Sequence, residues 1–213
     1  MSKEKHLEML KDTGIIAVLR RVPKDQLFQV VDALVESGVN VLELTVDSDD
    51  AFSSIRELND YYGDRALVGA GTVVTPGEAR QALDAGSQFI FSPSFDEEVV
   101  QLTHDAGVIS IPGVLTPTEM VKAYQEGADA VKIFPASAVG PRYLKDLKGP
   151  LGHIPMIPTG GINVDNTAEF IKYGAIAVGV GGSLVDPSLD LNTLKAKATA
   201  FVDQVKQGRG EWS

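Results

Sequence analysis

Ala128-Asp-Ala-Val-Lys-Ile-Phe-Pro135 places one ammonium, that of Lys132, inside a short apolar run with no carboxylate beside it on the same side of the chain. The run is bounded by Gly127 and Pro135 and has the length and composition of a strand buried on both faces, as in a parallel sheet. Desolvation disfavours a charged amine, so the pKa of a lysine buried there falls, and a neutral amine attacks a carbonyl carbon to form a Schiff base. The alternative is a lysine at a strand end whose stem packs inside while its head reaches water. This stretch alone does not separate the two.

Outward from it, strand-like and helix-like segments alternate in both directions, with glycine or proline near many junctions. Gly14–Leu19 reads as a first strand, and Lys24–Ser37 as a helix with Leu27, Val30, Val31 and Leu34 at helical spacing. Then come a strand at Val39–Thr45, a helix at Ala51–Tyr62, a strand at Ala66–Thr72, a helix at Pro76–Ala85 and a strand at Phe89–Ser92. The alternation continues with a helix at Glu97–Ala106, a strand at Val108–Pro112, a helix at Pro117–Glu126, the strand Ala130–Phe134 and a short helix at Tyr143–Leu147. Strands at Met156–Thr159 and Ala175–Val180 enclose a helix at Asn166–Tyr173, and Leu191–Val205 is the last helix. Eight strands, each followed by a helix, predict an α/β fold: a (β/α)8 barrel with an N-terminal helix, as one domain over residues 1–213. The rival, a doubly wound open sheet, lacks its glycine-rich dinucleotide fingerprint after the first strand.

The composition excludes several function classes. With 44% hydrophobic and 23% charged residues the chain is an ordinary globular sequence, and its net charge of −10 argues against a nucleic-acid partner. No run approaches the roughly 18 apolar residues of a membrane span, and Met1–Lys11 is too charged for a secretory signal, so the expected location is the cytoplasm. Zero cysteines remove disulfides, thiolate metal sites and a cysteine nucleophile. His6, His104 and His153 have no paired spacing, so no metal site is expected.

In a barrel the chemistry belongs at the carboxyl ends of the strands. Arg20 ends the first, and Glu43 and Thr45 share a face of the second, because side chains two apart point the same way. Glu43 lies among Val41, Leu42, Leu44 and Val46, where a carboxylate is costly unless paired, so it is either the ionic partner of Lys132 or a general base. Thr72 ends the third strand in Gly69-Ala-Gly-Thr72, whose small residues allow a close approach. Pro93 follows the fourth strand, and Phe134 shares a face with Lys132; both wall a pocket or belong to the core. Thr159-Gly160-Gly161 and Gly179-Val-Gly181-Gly182-Ser183-Leu184 follow strands seven and eight, where phosphate-binding barrels offer backbone N–H groups and the start of a short extra helix that Ser183 would cap.

Val41-Leu-Glu-Leu-Thr45, Gly69-Ala-Gly-Thr-Val73, Phe91-Ser-Pro93, Ile111-Pro-Gly113, Val131-Lys-Ile-Phe-Pro135, Pro158-Thr-Gly-Gly161 and Gly181-Gly-Ser183 together resemble the bacterial 2-keto-3-deoxy-6-phosphogluconate aldolase family, which includes 4-hydroxy-2-oxoglutarate aldolases. The resemblance runs from about Gly14 to Asp186. It implies a homotrimeric barrel and a Schiff-base aldolase that uses no metal or other cofactor and acts on a small 2-keto-3-deoxy sugar acid phosphate. By that resemblance Lys132 is the Schiff-base lysine, Glu43 the general acid/base and Thr72 a pyruvate-binding residue. Thr159 matches the threonine tied to stereoselectivity, and Gly160, Gly161 and Ser183, with the neighbouring Gly182, match the phosphate contacts. Some members carry an arginine four residues after the glutamate, where it contacts the pyruvate carboxylate; here that residue is Asp47, which would repel it. Arg20, whose fork suits a carboxylate, is the nearest replacement, while strand alternation turns Arg21 elsewhere. Removal of the Asp47 charge is then expected to leave carboxylate binding unchanged or slightly better. A sugar-phosphate isomerase or epimerase without a Schiff base and a non-catalytic sugar-phosphate-binding barrel remain as alternatives, neither of which needs a buried lysine.

Overall fold

The computed structural model describes residues 1–211. A helix, α1 (Lys3–Thr13), precedes β1 (Ile15–Leu19), α2 (Lys24–Glu36), β2 (Val41–Thr45), α3 (Ala51–Tyr62), β3 (Leu67–Gly71), α4 (Pro76–Asp84), β4 (Phe89–Phe91) and α5 (Glu97–Asp105). The chain continues through β5 (Ile109–Ile111), β6 (Gly113–Val114), α6 (Pro117–Gln125), β7 (Val131–Ile133), α7 (Pro141–Leu151), β8 (Met156–Pro158), α8 (Val164–Lys172), β9 (Val178–Val180) and α9 (Leu191–Arg209). All strand pairs are parallel, in the orders β5-β4-β3-β2-β1-β9 and β6-β7-β8. Pro112 has no N–H to give, so the fifth barrel strand breaks there into β5 and β6. Parallel bridges Met156–Ala175 and Thr159–Gly179 join β8 to the β9 side and close the (β/α)8 barrel.

Alternation along the strands builds two separate apolar layers. Ile15, Ala17, Leu42, Leu44, Val68, Ala70, Ile90, Val131, Ile133, Val178 and Val180 face outward to the helices, and Ile16, Val41, Leu67, Phe89, Phe91, Ile109, Ile111, Ala130, Ile157 and Ala177 fill the barrel interior. Leu10 of α1, fully buried, joins the interior set, so α1 stoppers the amino-terminal end of the barrel and leaves the other end to the site. An ion pair from Lys3 to Asp129, 2.9 Å, ties α1 to the chain just before β7, and Asp129 also accepts the Ser110 N–H at 2.8 Å.

The helices start where side chains satisfy their free N–H groups. Thr75 and Thr116 each form a capping box with a glutamate three residues on and a proline at the first helical position. The helix expected at 143–147 is longer than that: α7 continues through Gly149 and Pro150, held by buried Leu144 and Leu147. Among the described residues no helix is long and apolar enough to cross a membrane. Because Leu10 fills the barrel floor, Leu10→Ala is expected to lower unfolding stability by about 2–5 kcal/mol in chemical denaturation; a loss under about 1 kcal/mol would show that α1 is not part of the core.

Candidate active site

Lys132 is the middle residue of β7, 5% exposed, with its N–H donated to the Pro112 carbonyl at 2.8 Å. Its Nζ lies 4.2 Å from the centre of the Phe91 ring and 4.9 Å from that of Phe134, so two aromatic faces replace most of its water. Burial lowers its pKa, the Glu43 carboxylate opposes that fall, and the Arg20 guanidinium adds to it. Of the two readings open for this lysine, the structure adopts the buried one.

Glu43, on β2, is 1% exposed, and its Oε2 has no hydrogen-bond partner. Burial pushes its carboxyl up to about 7, against the pull of Lys132 and Arg20 and with a small push from Asp47. Among the described residues the Lys132 amine and the Glu43 carboxylate form no ion pair within 4 Å, so the expected alternative of a structural salt bridge does not hold. What remains is an amine and an acid buried in one chamber, each favouring the other's charge while burial favours both neutral forms. The Glu43 seat is made by β3: a Cβ at Gly71 would lie 1.5 Å from Oε1, and one at Gly69 would lie 2.4 Å from the Phe89 ring beneath. The close approach anticipated at Gly69-Ala-Gly71 is therefore by the protein's own carboxylate and ring.

A cavity of about 340 Å³ opens above this pair, and every expected site residue lines it: Arg20, Glu43, Thr72, Pro93, Lys132, Phe134, Thr159, Gly160, Gly161, Gly182 and Ser183. Val18, Ile162, Gly179 and Gly181 line it too. The first of these was within reach of the sequence, being two residues before Arg20 on the same face. Phe91, under the amine and two residues before Pro93, was equally accessible to that rule and was not singled out. None of the three histidines lines the cavity; His6 lies beside Gln88, and His153 packs on the Tyr124 ring.

On one side of the cavity Arg20 donates from Nη1 to both Asp47 oxygens, at 3.2 and 3.0 Å, and from Nη2 to Thr72 Oγ1 at 3.0 Å. Thr72 takes a positive φ of 61°, an uncommon conformation for a threonine. Arg21 does not follow strand alternation: its own φ of 52° breaks the period, and its Nη2 reaches Asp47 Oδ2 at 3.3 Å while its N–H goes to Ser48 Oγ at 2.8 Å. Two arginines thus converge on the aspartate that was expected only to repel.

On the other side the loops after β8 and β9 are laced together. Ala136 and Ser137 donate N–H groups to the Thr159 and Gly160 carbonyls at 2.8 and 2.9 Å, which holds Gly160 and Gly161 in their positive-φ turn. The Ser183 hydroxyl donates to the Ile162 carbonyl at 2.6 Å, and among the described residues no backbone N–H donates to it as a helix cap would require. The extra helix expected after the eighth strand is a single turn in which Leu184 and Val185 share the Gly181 carbonyl. Thr159 is 6% exposed, with an unpartnered Oγ1 that fits only because Gly179 has no Cβ, which would lie 2.2 Å away.

The family model for KDPG and KHG aldolases matches residues 7–200. The 2-dehydro-3-deoxy-6-phosphogalactonate aldolase of Escherichia coli (strain K12) is 34% identical over 194 residues, 91% of this chain and 95% of that one. The 2-dehydro-3-deoxy-phosphogluconate aldolase of Treponema pallidum (strain Nichols) is 33% identical over 182 residues, 85% of this chain and 86% of that one. Among solved structures, KDPG aldolase from Legionella pneumophila with pyruvate captured at low pH as a covalent carbinolamine matches with a TM-score of 0.79 and 28% identity, covering 92% of this chain and 94% of that chain. Since a methyl group at position 71 would occupy the Glu43 seat, Gly71→Ala is expected to displace the carboxylate and lower turnover about 100-fold, the scale of a lost proton-transfer group, with an unchanged circular dichroism spectrum. Wild-type turnover in that variant would show that Glu43 needs no such seat.

Proposed function

The chain belongs to the KDPG and KHG aldolase family, and within it we propose that this protein cleaves 2-keto-3-deoxy-6-phosphogluconate to pyruvate and glyceraldehyde 3-phosphate through a Schiff base on Lys132. The observation that carries this reading is the Lys132 amine, buried, without an ion pair among the described residues, and within the same chamber as a carboxylic acid whose pKa is near 7. A sugar-phosphate isomerase on the same barrel has no use for that amine.

The neutral amine adds to the C2 keto carbon, Glu43 supplies the proton with which the C2 oxygen leaves as water, and an iminium forms. Glu43, now a carboxylate, takes the C4 hydroxyl proton. The C3–C4 bond breaks, its electron pair moves into the iminium as an enamine, and the aldehyde departs. Glu43, protonated by the C4 hydroxyl, returns that proton to C3 of the enamine, and addition of water to the resulting iminium releases pyruvate, restores the amine and gives a proton back to Glu43. Phe91 and Phe134 keep the amine poorly solvated through this sequence. Arg20 and Thr72 meet the substrate carboxylate, and the loops bearing Gly160, Gly161, Gly182 and Ser183 meet the phosphate, for which their backbone N–H groups are suited. Thr159, whose buried hydroxyl has no partner among the described residues, lines the same cavity beside these loops. A second reading, the galactonate epimer, is favoured by the similarity to the Escherichia coli relative named for that substrate. The reading includes a homotrimer in the cytoplasm.

Borohydride reduction in the presence of pyruvate tests it. One reduced pyruvyl adduct is expected, on the peptide that contains Lys132, and Lys132→Ala protein should lose it; comparable labelling of that variant would sink the assignment. Cleavage rates on the two purified epimers then decide the substrate, with the gluconate form expected to be faster.

A further inference from the structure

We infer that Asp47 is a positioning residue that holds the Arg20 guanidinium at the carboxylate end of the cavity. The inference rests on the reading that Arg20 meets the substrate carboxylate. Arg20 has two anchors from two different strand ends, Asp47 beyond β2 and Thr72 beyond β3, at 3.0–3.2 Å. Two fixed points set the plane of the fork as well as its place. Among the described residues the Nε–H takes no partner, and Nη2 has a second N–H to give, so one edge of the guanidinium stays available for a carboxylate.

Stability does not account for the pair. The Arg20 side chain is 50% exposed and that of Asp47 31%, a setting in which ion pairs add little to folding, so the effect of the contact lies in where the fork points. Nor does the negative charge spoil the site. Arg21 also donates to Asp47, at 3.3 Å, and two guanidinium groups around one carboxylate leave the cluster net positive. Without Asp47, the carboxylate left to Arg20 is Glu43, which has a buried and unpartnered oxygen and already feels the Arg20 charge. Asp47 thus keeps the guanidinium at the mouth and leaves Glu43 free to carry protons. Asp47 is the residue at which the chain departs from the arginine-bearing members of the family, and the inference reverses the expectation that its removal is harmless.

The test is the pyruvate concentration that half-saturates borohydride trapping, in wild type, Asp47→Ala, Asp47→Glu, Arg20→Ala and the double variant Asp47→Ala/Arg20→Ala. Asp47→Ala is expected to raise it about 10-fold with an unchanged limiting yield, and the double variant to match Arg20→Ala, the signature of two residues acting as one unit. Asp47→Glu should recover most of the loss. Acetone, a ketone without a carboxylate, should trap equally in wild type and Asp47→Ala. A wild-type or lower half-saturation in Asp47→Ala, single effects that multiply in the double variant, or equal weakening toward acetone would each overturn the inference while the Schiff-base reading stands. Wild-type protein that traps no pyruvate would remove that reading and this inference with it.

Discussion

An amine and a carboxylic acid are buried together at the centre of this barrel without forming an ion pair among the described residues, and the surrounding structure is arranged to keep them so. Burying either group charged and alone costs several kcal/mol, and a close ion pair would hold both in their charged, unreactive forms. Neither outcome is realised. Two aromatic rings take up the space around the Lys132 amine, and Gly71 on β3 leaves room for the carboxyl group.

The barrel makes this arrangement possible because every strand points its carboxyl end the same way. Successive inward residues stack upward from Leu10 of the α1 stopper, apolar at Ile16, Val41 and Ala130, and ionisable two residues later at Glu43 and Lys132 and four residues later at Arg20. Ionisable groups therefore appear only where the apolar filling ends and the cavity begins. Three groups line that opening: the Arg20 guanidinium with its partners at the ends of β1, β2 and β3, the amine and acid, and the glycine loops after β8 and β9.

Much of this was legible in the chain because period-two alternation determines both which face is buried and which side chains meet at the mouth. Lys132 with Phe134, and Glu43 among its aliphatic neighbours, could be placed by that rule alone. The features that escaped it are those where the period fails or where space matters more than type. Arg21 turns back to Asp47 through a positive φ that no propensity scale assigns to arginine. Asp47 itself lies past the end of β2, where alternation no longer fixes direction, so charge alone suggested repulsion while geometry made it an acceptor. Gly71 signalled a close approach without saying by what. The single turn after β9 differs from the expected helix because its residues bond back to Gly181 and Ser183 is drawn to the Ile162 carbonyl.

The central claim, that Lys132 is held as a poorly solvated amine whose charge depends on Glu43, is tested most directly by an NMR pH titration of lysines labelled at Cε, with Lys132 assigned by substitution. In wild type the Lys132 resonance should titrate below the ordinary lysine range, because burial outweighs the attraction of the carboxylate. In Glu43→Gln it should fall further, since the group that favours the ammonium has been made neutral. A Lys132 that titrates with the exposed lysines, or one whose midpoint does not move when Glu43 is neutralised, would contradict the account.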